Sequence, residues 1–155
     1  MINKPKYKIA RRLGHGIFEK TQTQKFALRE GRRKESRERP RPKSDFGLQM
    51  LEKQKARYSY GIGERQFAKY VAEALAKKTT KTDELLFERL ETRLDNVAYR
   101  LHLAPTRQAA RQMVSHGHFK LNGRRVNIPS ILVRPGDKIE LVEKFSKSPP
   151  ASRSS

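Results

Sequence analysis

The chain has 155 residues, with 36 Lys plus Arg against 16 Asp plus Glu, a formal net charge of +20 and a sequence pI near 10.7. Its mean hydropathy is −0.89, and no run approaches the roughly 20 apolar residues of a membrane span. Cysteine is absent, which excludes a disulfide framework and a Cys-ligated zinc. Met1-Ile2-Asn3-Lys4-Pro5 leads into basic residues without an apolar core, so no secretory signal is expected. Such a charge excess points to a polyanion, nucleic acid before an anionic membrane surface.

The charge is uneven. Residues 1–43 hold 15 basic and 4 acidic residues, a net of +11, with few apolar side chains. From Arg29 to Lys43 no large apolar residue occurs, so that stretch cannot bury enough surface to offset its ordering entropy alone. Residues 1–43 are therefore expected to be a basic extended arm that orders against phosphates. Ser44 is placed to cap a helix running to about Tyr58, with Asp45 in its first turn. Gly61 and Gly63 interrupt it. A second helix follows from about Glu64, where Phe67, Tyr70, Val71, Ala74 and Leu75 form one apolar stripe.

Thr82 is placed to cap a third helix whose apolar face runs from Leu85 and Leu86 through Leu90, Leu94, Val97 and Ala98 to Leu101. Thr106 is placed to cap a fourth, with Ala109, Ala110, Met113 and Val114 inward and Gly117 as the C′ stop. The period then changes to two. Asn122-Gly123 between short alternating runs predicts a tight hairpin with Phe119 facing Val126 and Lys120 facing Arg125. Two cations opposite each other are unfavourable, and a bound phosphate would relieve them. Arg134-Pro135-Gly136-Asp137 is a type II turn, and Lys138 to Val142 is a last strand. The fold class is α+β. The chain divides into the arm, a helical domain over 44–92, a compact module over 93–143, and a low-complexity tail over 144–155 expected to be disordered.

Arg107 and Arg111 lie one turn apart on the fourth helix, away from Met113 and Val114. They face the way the Lys120/Arg125 end of the hairpin could point, and Arg93 and Arg100 add charge on the preceding helix. Arginine forks and helix dipoles suit an RNA backbone. The aromatic residues read as core, because no strand pattern offers a stacking platform for single strands. His116 and His118 alone are too few for a metal. Gly14-His15-Gly16 lacks the Lys-Ser/Thr of a phosphate-cradling loop. Asp95 reads as a structural acceptor, and no constellation supports catalysis.

Arg93-Leu94-Asp95-Asn96-Val97-Ala98-Tyr99-Arg100-Leu101, Thr106 through His118, Asn122 through Ser130 and Pro135-Gly136-Asp137 resemble the S-four RNA-binding domain. Leu51 through Arg57, Tyr60-Gly61 and Glu64-Arg65-Gln66-Phe67 resemble the helical region preceding that domain in the small-subunit ribosomal protein S four family. Lys6-Tyr7-Lys8 and Arg11-Arg12-Leu13-Gly14 look like that family's N-terminus.

The resemblance implies a helical N-terminal domain into which an S-four domain is inserted. It implies direct and early binding to small-subunit rRNA, nucleation of the subunit body, a contact with the neighbouring protein S five tied to decoding accuracy, and mRNA where it enters the subunit as a further partner. It implies a cytoplasmic or organellar ribosome, no membrane, no stable homo-oligomer, no cofactor and no metal. The positions carried over for rRNA contact are Lys53, Lys55, Arg57, Arg65, Arg100, Arg107, Arg111, His116, His118, Asn122, Arg124 and Arg125. Some members carry a cysteine zinc knuckle that this sequence lacks. Many bacterial members continue well past the Pro-Gly-Asp strand, whereas here a Ser/Pro tail follows Glu143. His102 stands where a small residue is common. Two other readings use the same module. A regulatory or rescue protein would sediment with large subunits or bind a tRNA, and the targeting half of an rRNA-modifying enzyme would need a catalytic domain.

Overall fold

The computed structural model describes residues 5–35, 44–77 and 81–142. The expectations for residues 36–43 and for the tail lie outside them. The chain divides into two compact units, up to Phe67 and from Ala68 onward.

The first unit begins with α1 (Lys6–Leu13), two short 3-10 turns (His15–Ile17 and Glu19–Thr21) and α2 (Gln24–Glu35). Most of residues 5–35 is therefore helical, which corrects the expectation of an extended arm for that stretch. The reason lies in apolar residues hidden among the charges. Ala10 and Leu13 of α1 are buried with Phe18, with Phe26 of α2 and with Tyr58 of α3 (Asp45–Ser59), and Ile9, Ile17 and Leu51 pack around them. Each large apolar side chain fully buried contributes about 1.5–3 kcal/mol, which suffices for a small core. The Arg11 guanidinium ties α1 to α2 by donating to Glu30 at 2.7 Å. Ser44 caps α3 as expected, its hydroxyl accepting from the Gly47 amide at 3.3 Å. α3 ends in a Schellman motif: Ile62 N–H reaches the Arg57 carbonyl, Gly61 N–H reaches the Tyr58 carbonyl, and Gly61 takes a φ of +64°. α4 (Glu64–Ala76) follows, and the division between units falls within it.

In the second unit the expected long third helix is two helices, α5 (Thr82–Glu91) and α6 (Leu94–Arg100). Its N-cap is Lys81, with no side-chain capping bond, and Thr82 is the first helical residue rather than the cap. The break at Thr92–Arg93 is imposed by tertiary pairing. Arg93 is extended and forms a β-bridge with Leu132. Leu94 N–H donates to Ile131, Asp95 N–H to Pro129, and Val133 N–H to Thr92. A continuous leucine period cannot reveal a strap that arrives from forty residues downstream.

α7 (Arg107–Ser115) is capped by Thr106, whose hydroxyl accepts from Ala109 N–H at 3.1 Å. α6 and α7 end in the same Schellman motif as α3. In α7 the left-handed position is Gly117, at φ +69°. In α6 it is His102, at φ +56°, with Leu103 N–H on the Ala98 carbonyl and His102 N–H on Tyr99. That geometry explains why a small residue is favoured there.

Strands β1 (Phe119–Leu121), β2 (Arg124–Val126) and β3 (Ile139–Leu141) form an antiparallel sheet of order β2-β1-β3. The hairpin register is the expected one: Phe119 pairs with Val126 and Lys120 with Arg125. Asn122 and Gly123 both take positive φ, as a type I′ turn requires. Leu94, Ala98, Ala104, Ala110, Val114 and Phe119 form the buried core of this unit, flanked by Met113, Val126, Ile139 and Leu141.

Candidate nucleic-acid interface

In the first unit, three of the four cations singled out there are paired locally. Lys53 and Arg57, one turn apart on α3, both meet Glu64 at the start of α4, Arg57 at 3.1 Å. The hydrogen bond from Lys53 holds the Glu64 carboxyl below its ordinary pKa; slight burial opposes it, and the charges of Lys53 and Arg57 and the Gln54 amide assist. Arg57 also donates twice to the Gln54 amide oxygen and covers the Tyr58 ring at 4.4 Å. Lys55 pairs with Glu52 at 2.6 Å. Arg65 is exposed and forms no ion pair among the described residues. Sequence reasoning missed a groove of about 460 Å³ in this unit, where Lys8 and Arg12 stand with Arg57 around Tyr58, Ile9 and Leu13.

In the second unit a polar network organises α6 and α7. Arg93 was expected to add charge to a helix face. It is instead buried, at 2% side-chain exposure, and belongs to the interior. Its Nε and Nη2 donate to the two carboxylate oxygens of Asp95 at 3.0 and 2.7 Å, and Nη1 donates to the Tyr70 hydroxyl at 2.7 Å. Burial works against the charged guanidinium, and the bonds and charge of Asp95 with the Tyr70 hydroxyl outweigh it, so the Arg93 pKa lies above its ordinary value. Asp95 also accepts from the Asn96 amide at 3.0 Å, the structural acceptor role expected of it.

Arg107 Nε donates to Asn96 Oδ1 at 2.8 Å, and its guanidinium covers the Tyr99 ring at 4.5 Å. Arg111 comes within 4.0 Å of Asp95. Asn96 Nδ2 donates to the Glu91 carboxylate at 2.8 Å, and that carboxylate takes a two-point bond from Arg100 at 3.0 and 2.8 Å. Arg100, Arg107 and Arg111 are thereby gathered on the α6–α7 face, each held by a side chain of α5 or α6. Glu91 was not singled out from sequence, and Tyr99 was read there only as core. No spacing rule pairs a residue with one nine positions on across a helix break.

The hairpin end is arranged differently from expectation. Lys120 is opposite Arg125, but a phosphate is not needed to separate them. Arg125 folds back to donate to the Gly117 carbonyl at 2.7 Å and to His116 at 3.4 Å, and so caps the C-terminal end of α7. Lys120 has Glu140 of β3 on its other side. His116 and His118 pack edge to face, with centroids 5.7 Å apart. Burial lowers the His118 pKa, assisted by repulsion from His116 and Arg125. Asn122 joins two turns: its amide donates to Asp137 at 2.9 Å and accepts from Lys138 N–H at 2.9 Å. The Arg134 amide and Asn122 hold the Asp137 carboxyl below its ordinary value. Arg124 is exposed. Among the described residues no cluster of three or more His, Asp or Glu could hold a metal ion, and no helix is long and apolar enough to cross a membrane.

The model of the ribosomal protein S4/S9 N-terminal domain matches residues 2–91, and that of the S4 domain matches residues 92–139. The first alone covers more than half of the chain. The chain belongs to the uS4 family of ribosomal proteins. It is similar to the small ribosomal subunit protein uS4 of Flavobacterium psychrophilum, 47% identical over 145 residues that make up 93% of this chain and 71% of that protein. It is 48% identical to the protein of the same name from Amoebophilus asiaticus, over 93% of this chain and 70% of that protein. With that from Karelsulcia muelleri the identity is 47%, over 90% and 71%. The chain thus matches about 70% of the length of these uS4 relatives.

Proposed function

We propose that this protein is a structural, non-catalytic constituent of the small ribosomal subunit that binds small-subunit rRNA directly. The observation that carries this reading is the gathering of Arg100, Arg107 and Arg111 on one α6–α7 face of a chain with net charge +20. Planar guanidinium forks presented on rigid helices match the spacing and charge of an RNA backbone. Lys53, Lys55, Arg57 and Arg65 in the first unit, with His116, His118, Asn122, Arg124 and Arg125 in the second, extend the contact set. Binding is early in assembly and nucleates the subunit body. A neighbouring protein S five, and mRNA where it enters the subunit, are the further partners. The protein resides in a cytoplasmic or organellar small subunit, and family membership with the names of its relatives supports that placement.

The test is filter binding to purified small-subunit rRNA across a salt series, alongside sedimentation with ribosomal subunits. Affinity falls steeply with salt, because each neutralised phosphate contributes about −0.7 to −0.9 to the log–log slope. Replacing Arg107 and Arg111 together by alanine weakens binding and reduces the slope by about 1.4–1.8 units, the fold remaining intact. Absence of the protein from purified small subunits would sink the reading. A profile peaking with large subunits would favour a regulatory or rescue protein.

A further inference from the structure

We infer that Glu91 and Asn96 are positioning residues for RNA binding: an acidic side chain that strengthens the grip on a polyanion by holding two arginines in place. The inference rests on the rRNA-binding reading above and deepens it.

Glu91 is four-fifths buried at the end of α5, and Asn96 is almost fully buried at the start of α6. One Glu91 oxygen accepts from Asn96 Nδ2 and from Arg100 Nε, and the other accepts from Arg100 Nη2. Asn96 Nδ2 also donates to the Glu91 main-chain carbonyl at 3.0 Å, which fixes the amide plane and turns its oxygen toward Arg107 Nε. Tyr99 closes the far side of Arg107. The result is an unbroken chain, Arg100–Glu91–Asn96–Arg107, that spans α5, α6 and α7. Each arginine has lost side-chain freedom before any phosphate arrives, and Arg100 keeps 55% of its side chain exposed. Ordering a long side chain in advance removes part of the entropy cost of the binding step.

The sign of the mutational effect separates this role from simple charge. A carboxylate beside a phosphate-binding face repels the ligand, so electrostatics alone makes its removal tighten binding. Positioning makes removal weaken it, although the protein gains one net positive charge. The experiment measures full-chain binding to purified small-subunit rRNA for wild type, Glu91→Gln and Glu91→Ala over a salt series, with thermal melting of each. Glu91→Gln keeps a hydrogen-bond acceptor of the same size and weakens binding about threefold; Glu91→Ala weakens it about tenfold, both with a shallower salt slope. In an Arg100→Ala background the Glu91→Gln effect shrinks toward that of Arg107 alone. Equal or tighter binding by Glu91→Gln, or an unchanged effect in the Arg100→Ala background, overturns the inference. The Gln variant decides if the Ala variant melts early. Failure of the wild type to bind rRNA overturns the RNA-binding reading itself.

Discussion

Arg93→Met tests whether the second unit is organised around a buried charge. Methionine fills much of the same volume but removes three hydrogen bonds, two to Asp95 at 3.0 and 2.7 Å and one to the Tyr70 hydroxyl at 2.7 Å. Asp95 has a side-chain exposure of only 6%, so its carboxylate cannot recover solvation. Removing one partner of a buried ion pair costs about 3–5 kcal/mol, mostly from the charge left behind. Two groups soften that cost here: the Asn96 N–H stays on Asp95, and Arg111 lies 4.0 Å away. The expected loss is therefore about 3 kcal/mol, at the lower end of that range. That is a large share of the roughly 5–15 kcal/mol that holds an ordinary domain together.

Urea melts of the RNA-free full chain, followed by circular dichroism, give the value. Adding Asp95→Leu removes the stranded charge, so the double variant recovers at least half of the loss. Arg93→Met costing under about 1 kcal/mol, or a double variant no better than the single one, would refute the account of a stranded charge.

Two further outcomes follow from the hairpin end. Gly117→Ala places a Cβ 2.7 Å from Arg125 Nε at a φ of +69°, so it strains the backbone and expels the guanidinium from the Gly117 and His116 carbonyls at the end of α7. A loss of about 2 kcal/mol is expected in urea melts, and a cost below about 0.5 kcal/mol would mean Arg125 does not cap the helix. Because the folded-state pKa of His118 is below the ordinary 6.5, the unfolded chain binds the proton more readily. His118 therefore favours the folded state fully above pH 6.5, and its contribution is lost as the pH falls from there through the depressed folded value. Melting temperature measured from pH 7.5 to 5 should fall less in His118→Gln than in wild type. Parallel curves would exclude the effect.

Much of the second unit was legible because its signals are local. Thr106 before an amphipathic run, Asn122-Gly123 between alternating residues and Pro135-Gly136 are each satisfied within a few residues, and each forms as expected. Where a signal was local but its resolution was not, the reading failed. The leucines from Leu86 to Leu101 keep a helical period through Thr92 and Arg93, yet the backbone there is claimed by the strap carrying Ile131, Leu132 and Val133. The first unit failed in the opposite direction. Its charge density hid Ala10, Leu13, Phe18 and Phe26, whose burial also depends on Tyr58, more than thirty residues downstream of Phe26.

The same limit governs the arginines, and it explains why net charge identifies a class of ligand without identifying a contact. In the sequence Arg93 and Arg100 look equivalent: both are basic residues at the ends of one short helical stretch, seven positions apart. In the structure one is interior and the other exposed. What separates them is the distribution of acceptors around each. Asp95 and the Tyr70 hydroxyl converge on Arg93 from two elements and compensate its desolvation. Arg100 pairs with the Glu91 carboxylate at the rim of the same unit, and keeps about half of its side chain in water. A cation is drawn inward only where enough acceptors are already fixed to replace its hydration, and that number is a property of the fold. The arginines held at the rim by fixed side chains of α5 and α6 are then the ones a phosphate can engage, because they are ordered before it arrives and Arg100 still keeps 55% of its side chain exposed.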